Sequence, residues 1–226
     1  MVKRAVRGGV AAIAAAVVIA LLGACGTPEF TYVKNSERKT YFKVPHHWHE
    51  TGTEALDDRL SGVNPDSAAK QLRQQSWWSV AYDASADPAS EHLITGRATD
   101  QPIVYARVAQ LSPAQQNMVS LDLLRDVFLP VTDAARQEAA ATSQLTGFEL
   151  LRDDVLTPAG GLHGVRVVYD YELADGVLHT FDQTALVNTD GSTLYLLIIR
   201  CSTSCYRERS DELDTIATSF TVRSER

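Results

Sequence analysis

Three groups of side chains in this chain have the types and spacing for chemistry. The densest is His46-His47-Trp48-His49. Neutral imidazoles are good zinc or copper ligands, and His47 and His49 would share one face of a continuing strand. Three histidines within four residues do not converge easily on one ion, and Pro45 argues for a turn. His47 and His49 are therefore weak metal candidates, and the expectation is solvated histidines around a core Trp48. In a second group, Asp170 and Glu172 lie i, i+2 on one strand run. A two-residue turn at Asp175-Gly176 would set Glu172 opposite His179 and Asp170 opposite Phe181. A carboxylate beside an imidazole could do acid–base work, but on an antiparallel sheet it is more often a cross-strand ion pair. Third, Trp77 and Trp78 are adjacent, so on a strand they point to opposite faces. Both can be buried only if both faces are covered; otherwise one is an exposed interface anchor.

Ser36-Glu37-Arg38-Lys39 matches the S-x-x-K spacing of penicillin-recognising serine enzymes, but no buried helix start and no K-T-G strand accompany it. No nucleophile elbow, phosphate-cradling glycine loop, calcium-loop spacing or H-E-x-x-H is present. No catalytic residue is assigned, no cofactor is expected, and the chain is read as a non-enzyme.

The firmest signal is Leu22-Gly23-Ala24-Cys25. Lys3, Arg4 and Arg7 form a basic start, and Gly8 to Leu22 is an uncharged run of 15 residues. A bilayer core of ~30 Å needs about twenty residues, so this run suits a signal-peptide core rather than a membrane span. The tetrapeptide resembles a bacterial lipobox. That resemblance implies diacylglyceryl transfer to Cys25, cleavage after Ala24, and a stable two-chain anchor at the extracytoplasmic face of the cell membrane.

The leader carries three of the 21 basic residues and none of the 28 acidic ones, leaving 18 against 28 and a net charge of −10 after cleavage. So acidic a chain is repelled by phosphodiester backbones and by anionic headgroups, which excludes nucleic acid as a partner and predicts a domain standing off the bilayer. With Cys25 lipidated, Cys201 and Cys205 remain as a pair in an oxidising compartment. They are expected to form a disulfide, with a metal site or free thiols as rivals.

These groups need elements to position them. Residues 25–39 read as a tether, at most ~55 Å from Cys25 to Tyr41. Thr40–Val44 reads as a strand, 54–60 as a short helix, and 65–75 as another opened by Pro65. Strands are expected over 77–82 and 103–109, with an exposed loop at 83–101 between them. Ser112-Pro113 opens a helix carrying Met118, Leu121, Leu124 and Phe128, and 132–143 forms a second. Four strands follow at about 148–156, 164–173, 178–187 and 193–200, separated by Gly-Gly and Asp-Gly turns. The apolar run Leu194–Ile199 predicts a central strand covered on both faces. A helix over 211–218, with Leu213, Ile216 and Ala217 inward, closes the chain.

This order gives an α+β layered sandwich, an antiparallel sheet flanked by helices. It resembles the PsbP-like fold through Tyr41-Phe42-Lys43-Val44-Pro45 with Trp48, the Asp-Gly-punctuated meander, and the segment from Leu213 to Phe220. The division expected is a signal peptide at 1–24, a tether at 25–39 and one PsbP-like domain at 40–226. The resemblance implies a binding or assembly module with a protein partner in the envelope, and a small-ligand or metal-binding lipoprotein as the alternative.

Overall fold

The computed structural model describes residues 28–61, 76–98, 100–143 and 145–223. The predicted leader, Cys25 and the helix expected over 65–75 lie outside them. The C-terminal meander dominates the architecture. Strands β6 (Thr146–Leu156), β7 (His163–Glu172), β8 (Leu178–Val187) and β9 (Thr193–Ser202) follow one another as antiparallel neighbours. Strand β9 then pairs with β5 (Ile103–Gln110), which pairs with β4 (Trp77–Asp83) and, at the edge, β3 (His49–Thr51). As the unbroken apolar run predicts, β9 is central: Leu197 and Ile199 enter one core, Leu196 and Ile198 the other.

A second, three-stranded sheet stands apart: β1 (Phe30–Asn35), β2 (Thr40–Pro45) and β10 (Thr221–Val222), in the order β1-β2-β10. Helix α7 (Ser210–Ser219) feeds β10, with Leu213, Ile216 and Ala217 buried at helical spacing and Asp211 and Glu212 suiting its positive N-terminus. One core lies between the two sheets and takes Val33, Phe42, Val44, Trp48 and the α7 residues. The other lies on the opposite face of the large sheet, around Leu56, Tyr105, Tyr169, Phe181 and Ile198. Helix α1 (Glu54–Ser61), helix α2 (His92–Thr95) and the segment between β5 and β6 contribute to it.

Several expectations are corrected. The tether does not run to residue 39, because Phe30–Asn35 pairs along its whole length with β2. The single expected helix after Ser112 is two short ones, α3 (Pro113–Gln116) and α4 (Leu121–Arg125). Ser120 interrupts it: its hydroxyl accepts the Leu123 N–H, a stronger local choice than continuing the helix. Met118, expected inward, is 62% exposed. Helix α5 (Asp133–Ala139) follows where expected. The loop at 83–101 is packed down rather than exposed, with α2 inside it and Leu93 fully buried. Finally, α6 (Thr203–Glu208), which carries Cys205, was not anticipated.

The β7–β8 register is also shifted by one. The turn is Ala174-Asp175-Gly176, closed by the Leu173 N–H donating to the Val177 carbonyl, with Gly176 at φ 74°. Three-residue loops end in a left-handed residue, which glycine supplies, and an odd loop moves every partner by one. Glu172 therefore faces Leu178, Tyr171 faces His179, and Asp170 faces Thr180. Asp170 and His179 end up on opposite faces of the sheet.

Candidate binding groove

The adjacent tryptophans split as the strand period requires. Trp78 packs against the core between the sheets. Trp77 points to the other face and lines a groove of about 800 Å³. Its floor is the sheet itself: Trp77 from β4, Arg107 and Ala109 from β5, Leu194 and Leu196 from β9. Its walls come from the chain that folds back after β5, with Ser112 and Gln115 on one side and Val127 and Phe128 on the other. The groove exists because β5 ends at Gln110 and Ser112, a capping-box residue, turns the chain sharply into α3.

Arg107 is the one ionisable side chain among these lining residues. Its guanidinium carbon sits 4.3 Å from the Trp77 ring centroid, a cation–π contact. Its Nε is buried without a hydrogen-bond partner. The neighbouring polar groups are already satisfied. Tyr105 donates to Asp57 at 2.6 Å, Ser79 donates to the other oxygen of Asp57 at 2.6 Å, and Ser112 and Gln115 bond each other. Burial, then the Asp57 carboxylate, holds the Tyr105 hydroxyl well above its usual range, so it stays a neutral donor. The guanidinium also bonds with the Tyr105 hydroxyl, but its buried Nε, beside the apolar Val127–Phe128 wall, is what a bound acceptor group would complete. The groove offers a docking cation and apolar contact. Its described lining has no carboxylate, imidazole or thiol to move a proton.

The residues singled out from sequence are scattered rather than assembled. His46, His47 and His49 are exposed around a buried Trp48, and His46 shares a hydrogen bond with Thr31. Among the described residues, no group of three histidine, cysteine or acidic side chains is placed to hold a metal. Ser36 and Lys39 belong to the β1–β2 turn. Asp170 accepts from Thr180 at 2.6 Å, and burial raises its pKa above the ordinary carboxylate value. Cys201 and Cys205 are disulfide-bonded, Cα–Cα 5.8 Å, joining the end of β9 to α6.

Sequence reasoning missed a polar row at the far end of the groove-side face. Asp83, on β4, is fully buried and accepts the Ser85 and Ala89 N–H groups and a 2.6 Å bond with His92 Nδ1. Arg200, also fully buried, donates to the Arg97 carbonyl at 2.8 Å, and burial lowers its pKa to about 10. Next to it on β8, His179 Nε2 lies 3.1 Å from Asp175. Asp83 and Arg200 thereby hold residues 85–97 against the sheet. The available signal was a charged residue at the end of each of two apolar strand runs.

No protein family and no curated protein matches the chain. Three solved structures resemble it along most of its length. The cyanobacterial PsbP (CyanoP) of a Synechocystis species superposes with a TM-score of 0.50 at 12% identity, covering 89% of this chain and 96% of its own. LpqN of Mycobacterium tuberculosis, involved in cell envelope biogenesis, gives 0.42 at 15% identity, covering 85% and 90%. The Saccharomyces cerevisiae Ran-binding protein Mog1p gives 0.43 at 10% identity, covering 88% and 97%. The fold is an α+β sandwich and is PsbP-like.

Proposed function

We propose that this chain is a lipid-anchored, extracytoplasmic, non-enzymatic binding module that uses the Trp77–Arg107 groove to hold its partner. The observation that carries the reading is the groove's make-up: a cavity of about 800 Å³ with one apolar and one polar wall and a cation lacking an acceptor at Nε. Binding sites combine a mostly apolar concavity with a few placed polar groups, whereas a hydrolytic or transfer site needs a nucleophile or base beside them. The anchor rests on the leader, on Leu22-Gly23-Ala24-Cys25, and on two chains holding where one would not. No helix among the described residues is long and apolar enough to cross a membrane. Because β1 begins at Phe30, only four residues lie between Cys25 and the fold, five Cα steps with a reach of at most about 18 Å.

Two experiments test the two halves. Intact mass of the protein extracted from membranes should lack residues 1–24 and carry a diacylglyceryl group, and Cys25→Ser should release the chain from the membrane. An unmodified Cys25 ends the anchor. For the groove, a photo-crosslinking side chain in place of Gln115 should give a discrete adduct in intact cells, abolished by Leu196→Arg. An adduct indifferent to Leu196→Arg, or none, removes the groove as the binding site. The alternative, a small-ligand carrier, uses the same groove and is told apart by the adduct's mass.

A further inference from the structure

The outer face of the three-stranded sheet has a composition found nowhere in the averages of this acidic chain. Val33, Phe42 and Val44 point into the core, so alternation turns Phe30, Tyr32 and Lys34 of β1 and Tyr41 and Lys43 of β2 outward. Registration puts them side by side: Tyr32 opposite Lys43 and Lys34 opposite Tyr41. Lys43 lies 4.0 Å from the Phe30 ring centroid, and Arg223, just past β10, lies 4.6 Å from that of Tyr41. Tyr32 is 76% exposed, the highest exposure among the large hydrophobic side chains described. The face thus carries three aromatic rings and three cations. The acidic residues of this stretch, Glu29 and Glu37, lie at its ends, before β1 and in the β1–β2 turn.

We infer that this sheet is a membrane-docking face, seated on anionic phospholipid headgroups. Three observations converge on a bilayer as its occupant. Aromatic rings and Lys or Arg side chains are the pairing that settles at a membrane–water interface. Cations near an anionic leaflet strengthen association roughly five-fold each. The position of the face in the chain is the third: it starts at Phe30, and the proposed lipid attachment at Cys25 leaves about 18 Å of reach, so the sheet cannot move far from the headgroups. At that tether length the local concentration of headgroups is high enough for a weak surface to dock. A second copy of the chain is unsuited, because two such cationic faces repel. This inference rests on the lipid anchor proposed above. It reverses the expectation from net charge: with the three cations of this face set aside, the −10 of the mature chain leaves −13 on the rest of the molecule, while the side nearest the anchor is basic. Docking in this way turns the groove outward, since the groove lies on the far side of the large sheet, two layers of about 10 Å from the lipid.

The test uses the mature lipidated protein in nanodiscs, with an environment-sensitive dye at Tyr32→Cys and, in a separate sample, at Met118→Cys. Intact mass first confirms the lipid and the Cys201–Cys205 disulfide, so failure of the anchor is seen separately. In discs of phosphatidylcholine with 30% phosphatidylglycerol, chosen as the probe surface, the dye at 32 should shift to the blue and resist acrylamide quenching. The dye at 118 should do neither. Lys34→Gln, Lys43→Gln and Arg223→Gln together should lower the docked-to-free ratio about 100-fold, three factors of roughly five. Salt at 1 M, where screening shortens from ~10 to ~3 Å, should do likewise. A dye at 32 that stays fully water-exposed on the anionic disc overturns the inference, as an acidic partner protein would require. So does protection that is equal on phosphatidylcholine alone and indifferent to the three substitutions.

Discussion

Arg166 grips both carboxylate oxygens of Asp182 from the neighbouring strand, Nε at 2.9 Å and Nη2 at 2.6 Å, with the two side chains only 8% and 0% exposed. The Tyr206 hydroxyl of α6 donates to the same carboxylate at 2.9 Å, and Arg166 also reaches Asp214 of α7 at 2.9 Å. The pair is therefore the junction by which β7 and β8 hold the two C-terminal helices.

Removing one partner leaves an uncompensated buried charge. Asp182→Asn should destabilise the fold by about 3–5 kcal/mol in urea denaturation. Asp214→Asn, on a half-exposed carboxylate, should change it by less than about 1 kcal/mol. Equal losses would show that the solvent side matters as much as the buried one.

The disulfide closes a five-residue loop. Chain entropy assigns it about 2 kcal/mol, so Cys201→Ala with Cys205→Ala should lower stability by that order without changing the fold. Thiol labelling without reductant should leave both native cysteines unreacted; ready labelling would refute the bridge.

Burial, reinforced by the Arg200 cation, lowers the His179 pKa below its ordinary value, although Asp175 pulls the other way. The unfolded chain then binds the proton more readily than the folded one. Stability is full above pH ~6.5 and is lost as pH falls from there through the folded value. Melting curves between pH 7 and 5 should show this slope, and His179→Gln should flatten it. An identical slope in the variant would remove His179 as its source.

Two glycines make a paired test. A methyl at Gly164 would overlap the Ala185 carbonyl oxygen and stand 2.8 Å from Leu186 Cα, both backbone. Gly164→Ala must spread β7 from β8 and should cost about 3 kcal/mol or more. At Gly176 a methyl meets nothing, and only the positive φ is unfavourable, about 1 kcal/mol. Chemical denaturation of both variants should rank them in that order; the reverse would contradict the β7–β8 approach.

Arg107 leaves its buried Nε unpartnered, which offsets the contact it makes with the Trp77 ring. Arg107→Met should keep or raise the melting temperature while abolishing the Gln115-site adduct. A fall of several degrees would make Arg107 a structural residue instead.

Local chemistry in the sequence settled much of this molecule. The apolar run ending in Ile199 made β9 central, Gly176 and Gly191 marked the turns, and Leu213, Ile216 and Ala217 fixed the buried stripe of the last helix, because each depends on neighbours within a few residues. The tertiary structure alone decided the rest. The groove joins Trp77, Arg107 and Leu194 from strands far apart in sequence, and the basic face needs β1 registered on β2 with Arg223 folded back beside them. One extra residue in the 174–176 turn separated Glu172 from His179. Composition averages over the whole surface, and only the fold determines where charges and rings are gathered.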